Sequence, residues 1–123
     1  NYLDILKNEF SPLIRWMDQS LSYYMPNGVI DYMNVLKDRC ANQWVLFNTV
    51  FTSLGVHINF SQHYHVDEVD AKNSVAAAIY HIDNPNNETG GELVFPQLQM
   101  YLKPKHGDQV FWRTNRIIHG VSP

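Results

Sequence analysis

The sequence is poor in cysteine and has no excess of basic residues, and both shortages narrow what the protein can be. Cys40 is the only cysteine among 123 residues, which excludes a disulfide framework within the chain and argues against a zinc site built on thiolates. Nine Lys and Arg residues stand against twelve Asp and Glu residues, for a net charge of −3. The chain therefore carries no global basic field that would hold a nucleic acid.

Long apolar runs are also missing. The longest, such as residues 75–80, are far shorter than the roughly 20 residues of a transmembrane helix, and no charged-then-apolar targeting segment opens the chain. The composition, 45% hydrophobic and 17% charged, is typical of a soluble globular domain. We therefore expect one intracellular domain that does not contact a membrane. Its compartment, nuclear or cytoplasmic, and its oligomeric state stay open.

The first part of the chain has apolar residues at helical spacing, and residues 1–41 are predicted to form a helical support region. Ser11-Pro12 has the form of an N-cap followed by proline at the first helical position. The apolar positions are Leu3, Leu6, Phe10, Leu13, Trp16, Met17, Leu21 and Tyr24, and then, after a stop at Pro26-Asn27-Gly28, Ile30, Met33, Leu36 and Cys40.

The pattern changes after Asn42, where short runs rich in β-branched and aromatic residues alternate with turn residues. The runs are residues 44–52, 56–61, 75–81, 92–95, 99–102 and 109–112, and the turns are Gly55, residues 84–87, Gly90-Gly91 and residues 104–108. Many short strands separated by turns predict a barrel or jelly roll over residues 42–123. The predicted fold class is mainly β with N-terminal helices.

His65 and Asp67 are the first candidates for chemistry. Residues two apart in an extended segment project to the same side, so one imidazole and one carboxylate point at a common spot. His119 follows much later, near the last strand. Two histidines and one carboxylate with open positions form the facial triad of non-haem Fe(II) oxygenases. An H-x-D spacing alone also occurs by chance in many chains.

Three further motifs follow His65-x-Asp67 in order. They are G-G-x-L-x-x-P at residues 90–96, P-x-x-G-D-x-x-x-W at residues 104–112 and H-x-V at residues 119–121. From about residue 59 to residue 123 this ordered set resembles the Fe(II)/2-oxoglutarate-dependent dioxygenases. The resemblance implies a double-stranded β-helix, a jelly roll open at one end. It also implies Fe(II), with 2-oxoglutarate and O₂ as cosubstrates.

Matched residue by residue, the resemblance implies that His65, Asp67 and His119 are the iron ligands. The family pairs the far carboxylate of 2-oxoglutarate with a basic residue on the strand after the distal histidine. We expect that residue beyond Pro123, in a piece of a longer protein that is truncated at its C-terminus and binds 2-oxoglutarate weakly. The weaker candidates within the chain are His81, Arg113 and Arg116, with Lys103 and Lys105 as possible substitutes.

Two branches of the superfamily resemble the chain. Residues 51–60, followed by residues 65–70, look like the TET and base-J-binding-protein branch, which oxidises the methyl group of thymine or 5-methylcytosine in DNA. Residues 79–82 and 103–119 look like the prolyl-hydroxylase branch, which acts on peptides. The lead hypothesis is oxidation of a methyl-bearing nucleobase, with DNA as the partner. The alternatives are a prolyl 4-hydroxylase-like protein hydroxylase and a non-catalytic jelly-roll binding module.

Several polar residues near the H-x-D motif have competing interpretations. His63 is a conceivable alternative ligand, but we interpret it as a residue of the pocket rim. Glu68 and Asp70 are predicted to lie in a solvated acidic loop. The basic residues between positions 103 and 116 are predicted to form a solvated hairpin, with a phosphate-contacting edge as the less favoured alternative.

Overall fold

The computed structural model describes residues 2–83 and 89–123 of the chain. The chain divides into two compact units, Asn1–Gly55 and Val56–Pro123, which we call the helical unit and the β unit. The sequence placed the change of architecture at residue 42, whereas the compact units divide after Gly55. The predicted turn at residues 84–87 lies outside the described residues, as do the side chains of Leu3 and Leu6.

The helical unit begins with a continuous helical stretch that changes its winding. Its parts are α1 (Tyr2–Ile5), a π-helical turn (Leu6–Phe10) and α2 (Ser11–Tyr24), and a further helix, α3, covers Asn27–Arg39. The predicted N-cap at Ser11 is wrong, because this residue has helical angles, φ −58° and ψ −45°. Pro12 has no N–H for a hydrogen bond within the helix, and a π-helical turn precedes it, where the hydrogen-bonding pattern changes.

Helix α2 buries one stripe of its surface, which includes the predicted Met17 and Leu21, whereas Trp16 and Tyr24, also predicted for the apolar face, are 47% and 72% exposed. Ile14, Met17 and Leu21 are buried on this helix, and Met33 is buried on α3. Helix α2 ends at Tyr24, since Met25 is extended and its N–H donates to the Leu21 carbonyl at 2.9 Å. The stop was predicted at Pro26-Asn27-Gly28, but Asn27 and Gly28 already belong to α3. None of the helices in the described part of the chain has the length and apolarity needed to cross a bilayer.

The strands predicted over residues 44–52 and 56–61 do not form. Short 3₁₀ turns at Asn42–Trp44 and Leu46–Asn48 occupy the first segment, and the second has no regular structure. Phe47 and Asn48 have positive φ angles of 49° and 61°, and Asn59 has one of 48°. A left-handed residue breaks the extended backbone that a strand requires, so hydrophobicity alone gave the wrong prediction here.

The β unit contains two antiparallel sheets among its described residues. The strands are β1 (Gln62–His65), β2 (Ala76–Ile79), β3 (Leu93–Phe95), β4 (Met100–Leu102), β5 (Gln109–Trp112) and β6 (His119–Val121). One sheet has the order β1-β6-β3-β4, and the other pairs β2 with β5. The predictions of strands within residues 75–81, 92–95, 99–102 and 109–112 are confirmed, as is the coarse fold class, helices followed by β-structure.

Alternation of side chains shows which face of the four-stranded sheet is covered. Leu93 and Phe95 are buried on β3, with the less buried Val94 between them, as expected for a strand with a side-chain period of two. Strand β6 lies between β1 and β3 and pairs antiparallel with both. Val121 of β6 is the register partner of both Gln62 in β1 and Leu93 in β3, and His119, at the start of the strand, is the partner of His65 in β1.

Gly120 permits the close approach of β1 to β6. A Cβ atom at this position would lie 2.7 Å from Cδ1 of Tyr64 and 2.8 Å from the carbonyl oxygen of Gln62. We expect Gly120→Ala to force the two strands apart and to lower the free energy of unfolding by about 1–3 kcal/mol, as overpacking usually does. Urea denaturation measures this change.

The matched control is Gly28→Ala, because a Cβ there has no atom within 4 Å. Gly28 lies in α3, so this variant should be as stable as the wild type or slightly more stable, since alanine is the better helix former. Equal urea midpoints for Gly120→Ala and the wild type would contradict the proposed crowding between β1 and β6.

Candidate metal centre

The pairing of β1 with β6 places the two predicted histidine ligands side by side. His65, the last residue of β1, is the register partner of His119, the first residue of β6. Their ring centroids are 4.4 Å apart. Asp67 follows two residues after His65, in the loop that leaves the strand. Residues far apart in the sequence thus meet at one end of the β unit.

The ligating atoms of the three residues converge. His65 Nε2 lies 3.3 Å from Asp67 Oδ1, and His119 Nε2 lies 3.7 Å from Asp67 Oδ2. One ligand atom from each residue lies within 4.8 Å of the other two, so the cluster could hold a metal ion. His119 is 4% exposed, whereas the side chains of His65 and Asp67 are 27% and 35% exposed. The cluster is therefore closed on the His119 side and open to solvent elsewhere.

Backbone carbonyls orient both imidazole rings. His65 Nδ1 lies 2.8 Å from the His63 carbonyl oxygen, and His119 Nδ1 lies 2.9 Å from the Ile117 carbonyl oxygen. A carbonyl oxygen can only accept a hydrogen bond, so Nδ1 carries the proton in each ring. In the neutral ring Nε2 then has a free lone pair, which is the form that binds a metal.

The three converging groups suit a metal ion. When both rings are neutral, with the proton on Nδ1, the two Nε2 atoms and the carboxylate oxygens of Asp67 are all acceptors, and their lone pairs face one another. A divalent cation bound by imidazole nitrogen and carboxylate oxygen removes that repulsion, and this donor set with open positions is the one used by non-haem Fe(II). The residues present therefore fit the metal that the sequence predicts.

Apolar and aromatic groups cover the inner side of the cluster. The Trp112 ring meets His119 edge to face at 5.3 Å between centroids, and Phe95 meets Trp112 at 6.1 Å. The indole N–H of Trp112 is buried and has no hydrogen-bond partner within residues 2–83 and 89–123. A buried donor of this kind is normally satisfied by water or a bound group.

The predicted cosubstrate residues do not join the cluster of ligating atoms. The His81 side chain is 76% exposed, with Nε2 2.7 Å from Asp83 Oδ1, and its role as a weak cosubstrate candidate stays a prediction. His81 lies two residues after the end of β2. Arg116 is exposed and Arg113 is half-buried, in the turn before β6. Lys103 and Lys105 are exposed as well, which suits a surface better than a confined carboxylate pocket.

Sequence reasoning missed several groups that support the ligand-bearing segments. Asp70 does not lie in a purely solvated loop, because its carboxylate accepts a hydrogen bond from the Thr114 hydroxyl. Gln97 Oε1 accepts the Ile118 N–H at 2.8 Å, directly before His119. Thr114 and Asn115 lie in the segment predicted as a solvated hairpin, residues 103–116. Their hydrogen-bond partners are 44 residues away in sequence, and no local pattern indicates these contacts.

Two titratable groups of the β unit have shifted pKa values. A hydrogen bond from the Ser122 hydroxyl lowers the pKa of Glu92, helped by a backbone hydrogen bond and the charge of Lys103. Burial raises the pKa of the Tyr80 hydroxyl. Neither group belongs to the metal-binding cluster. The Glu92 carboxylate instead fastens the Gly90-Gly91 turn to the residue after β6, where Ser122 N–H also donates to the Glu92 carbonyl at 3.0 Å.

Two histidines and one carboxylate with open positions are the ligand set of non-haem Fe(II) oxygenases. Residues 51–123 match the family model of the 2OG-Fe(II) oxygenase superfamily, and the chain belongs to that superfamily. It is an Fe(II)/2-oxoglutarate-dependent dioxygenase, an oxidoreductase that uses Fe(II), 2-oxoglutarate and O₂. Comparison with curated proteins and comparison with solved structures each gave no match.

The histidine pair at positions 63 and 65 gives a direct test of the ligand assignment. His65→Ala should lose bound iron, because it removes an Nε2 atom of the cluster. His63→Ala should retain it, because His63 contributes only its backbone carbonyl, which alanine keeps. Iron content per protein chain, measured on both purified variants after loading with Fe(II), distinguishes the two positions. Equal loss from both variants would mean that His63 is also a ligand.

Proposed function

We propose that His65, Asp67 and His119 hold Fe(II) and that the protein hydroxylates a C–H bond of its substrate. The observation that supports this most strongly is the convergence of the two Nε2 atoms and the Asp67 carboxylate on a cluster that could hold a metal ion. With Fe(II) bound by these residues, O₂ would be the oxidant: one oxygen atom would go to 2-oxoglutarate, which leaves as succinate and CO₂, and the other would go to the C–H bond of the substrate. A facial set of three protein ligands leaves positions for cosubstrate and O₂.

The protein's own contribution is to position and shield. The carbonyls of His63 and Ile117 fix the ring orientations, which keeps the ligand atoms in place before the metal arrives. Burial of His119 beneath Trp112 keeps water away from one side of the centre. The exposed edges of His65 and Asp67 leave the other side accessible to cosubstrate and substrate.

We propose that the strands of the β unit belong to a double-stranded β-helix. The chain passes from one sheet to the other and back: β1 lies in the first sheet, β2 in the second, β3 and β4 in the first, β5 in the second and β6 in the first. Such alternation between two antiparallel sheets is typical of a jelly roll. In this arrangement the ligands of β1 and β6 lie at one end, where a substrate can enter.

The lead substrate is a methyl-bearing nucleobase in DNA, thymine or 5-methylcytosine. Support comes from the resemblance of residues 51–60 and 65–70 to the TET and base-J-binding-protein branch. Lys103, Lys105 and Arg116 are exposed, as phosphate contacts would require. A base inside duplex DNA would have to be flipped out of the stack to reach a metal within the β unit.

A peptidyl prolyl side chain is the second candidate. Residues 79–82 and 103–119 resemble the prolyl-hydroxylase branch. The first segment begins at the last residue of β2 and the second contains all of β5, and these two strands pair over their full length. The net charge of −3 suits a peptide partner better than a polyanion. Both candidates share the same iron chemistry and differ in the substrate alone.

Oxidation of 2-oxoglutarate tests the reaction class without knowledge of the substrate. The Fe(II)-loaded protein should convert 2-oxoglutarate slowly to succinate and CO₂ in the presence of O₂ and an added reductant, which returns the iron to Fe(II), because uncoupled turnover does not need the C–H substrate. Asp67→Ala should reduce succinate formation at least tenfold, as loss of a ligand or its support does. Succinate is quantified by mass spectrometry, and a wild-type protein that binds iron but forms no succinate would favour the non-catalytic binding module.

Substrate class is decided by adding candidate substrates to the same assay. Oligonucleotides that contain 5-methylcytosine or thymine should raise succinate formation and gain one oxygen atom on the methyl group. The control oligonucleotides carry unmethylated cytosine or uracil at the same positions. Stimulation by a proline-containing peptide, with an alanine-substituted peptide as its control, would instead favour the protein-hydroxylase alternative.

A further inference from the structure

Asp67 differs from the two histidines in how its position is fixed. His65 and His119 stand in paired strands, where backbone hydrogen bonds of the sheet hold them. Asp67 lies beyond the end of β1, in a loop whose internal hydrogen bonds join residues close in sequence. One of them runs from the Asp70 N–H to the Asp67 carbonyl at 3.1 Å. The position of the carboxylate therefore depends on whatever holds this loop.

The turn at residues 113–117, which we call the Thr114 turn, provides that support. The Asp67 N–H donates to the Thr114 carbonyl at 2.9 Å, and the Thr114 hydroxyl donates to Asp70 Oδ2. The Asn115 side-chain amide donates to the carbonyls of Asp70 at 3.3 Å and Ala71 at 2.7 Å. The loop of residues 67–71 thus rests on the Thr114 turn through backbone and side-chain bonds together.

The same turn contacts the second histidine at its other end. The N–H groups of Arg116 and Ile117 close the turn on the Arg113 carbonyl at 3.1 and 3.0 Å. The Ile117 carbonyl then accepts the hydrogen bond from His119 Nδ1. One turn therefore supports the loop of Asp67 and orients the ring of His119.

The Thr114 hydroxyl is the part of this arrangement that a substitution can remove. Thr114 is 3% exposed, so its hydroxyl has little access to water and depends on the Asp70 carboxylate. A hydrogen bond to a charged acceptor is stronger than one between neutral groups. Removal of the hydroxyl leaves a partly buried carboxylate without this donor, and such a group tends to move toward water.

We propose that Thr114 and Asp70 are positioning residues that hold the Asp67 carboxylate in place for the metal. The inference rests on the proposed iron site and adds a determinant of its affinity. Neither side chain contributes a ligating atom to the cluster of His65, Asp67 and His119. They act through the backbone of the loop, and their loss is expected to weaken metal binding while the sheets stay folded.

Co(II) is the probe, because its visible absorption reports the number and kind of its ligands. The wild type is titrated with Co(II) under anaerobic conditions, and affinity and the spectrum at saturation are recorded. Thr114→Val and Asp70→Ala should each bind Co(II) about tenfold or more weakly, within the range usual for outer hydrogen-bond partners of metal ligands. At saturation their spectra should shift toward that of Asp67→Ala.

Conservative variants test whether the hydrogen bond between Thr114 and Asp70, and not the packing of the two side chains, supports metal binding. Thr114→Ser keeps the hydroxyl and Asp70→Asn keeps an acceptor oxygen, so both should bind Co(II) nearly as the wild type does. Thr89→Val makes the same substitution as Thr114→Val at an exposed position of the β unit and should change nothing. Circular dichroism of the metal-free variants establishes that each is folded.

The outcomes separate this inference from the proposed function. A wild type that does not bind Co(II) overturns the iron site itself. A wild type that binds it, together with Thr114→Val and Asp70→Ala variants of unchanged affinity and spectrum, overturns only the positioning role. If Thr114→Val does not fold, the pair Asp70→Ala and Asp70→Asn decides, and equal affinities for that pair contradict the inference.

Discussion

Strand β6 lies between β1 and β3, and its pairing with β1 makes His119 the register partner of His65. The metal centre depends on this pairing, because no local feature of the chain could bring the two rings together. Gly120 lets the strands approach, since a side chain there would meet Tyr64 and the Gln62 carbonyl. A shift of one residue in the register would turn one imidazole to the opposite face of the sheet.

Electrostatics then determines what the converged groups can hold. The carbonyl-bound Nδ1 protons direct both Nε2 lone pairs toward the Asp67 carboxylate. Sequence and sheet geometry thus create a local excess of acceptors that a divalent cation satisfies. The carboxylate is the least constrained member, since its loop is held by the Thr114 turn and not by a strand.

The convergence of the three candidate metal ligands could be predicted because their pattern is local or ordered along the chain. The two-residue spacing of His65 and Asp67 sets their common side, and the later motifs place His119. Asp70 and Thr114 could not be paired in the same way, because their contact joins segments far apart in sequence. The strand predicted over residues 44–52 is wrong because Phe47 and Asn48 have positive φ angles, which the apolar pattern does not indicate. No sequence pattern indicated that the side chain of His81 is exposed to solvent.

The hydrogen bonds that orient the two histidines come from carbonyl groups two residues earlier in the same strand or its approach. Every amino acid supplies such a carbonyl, so the side chains at positions 63 and 117 take no part in these two hydrogen bonds. Ring orientation is therefore independent of side-chain identity at both positions. Substitutions at these two positions can therefore change the surface beside the histidine pair while both carbonyl contacts to the rings are kept.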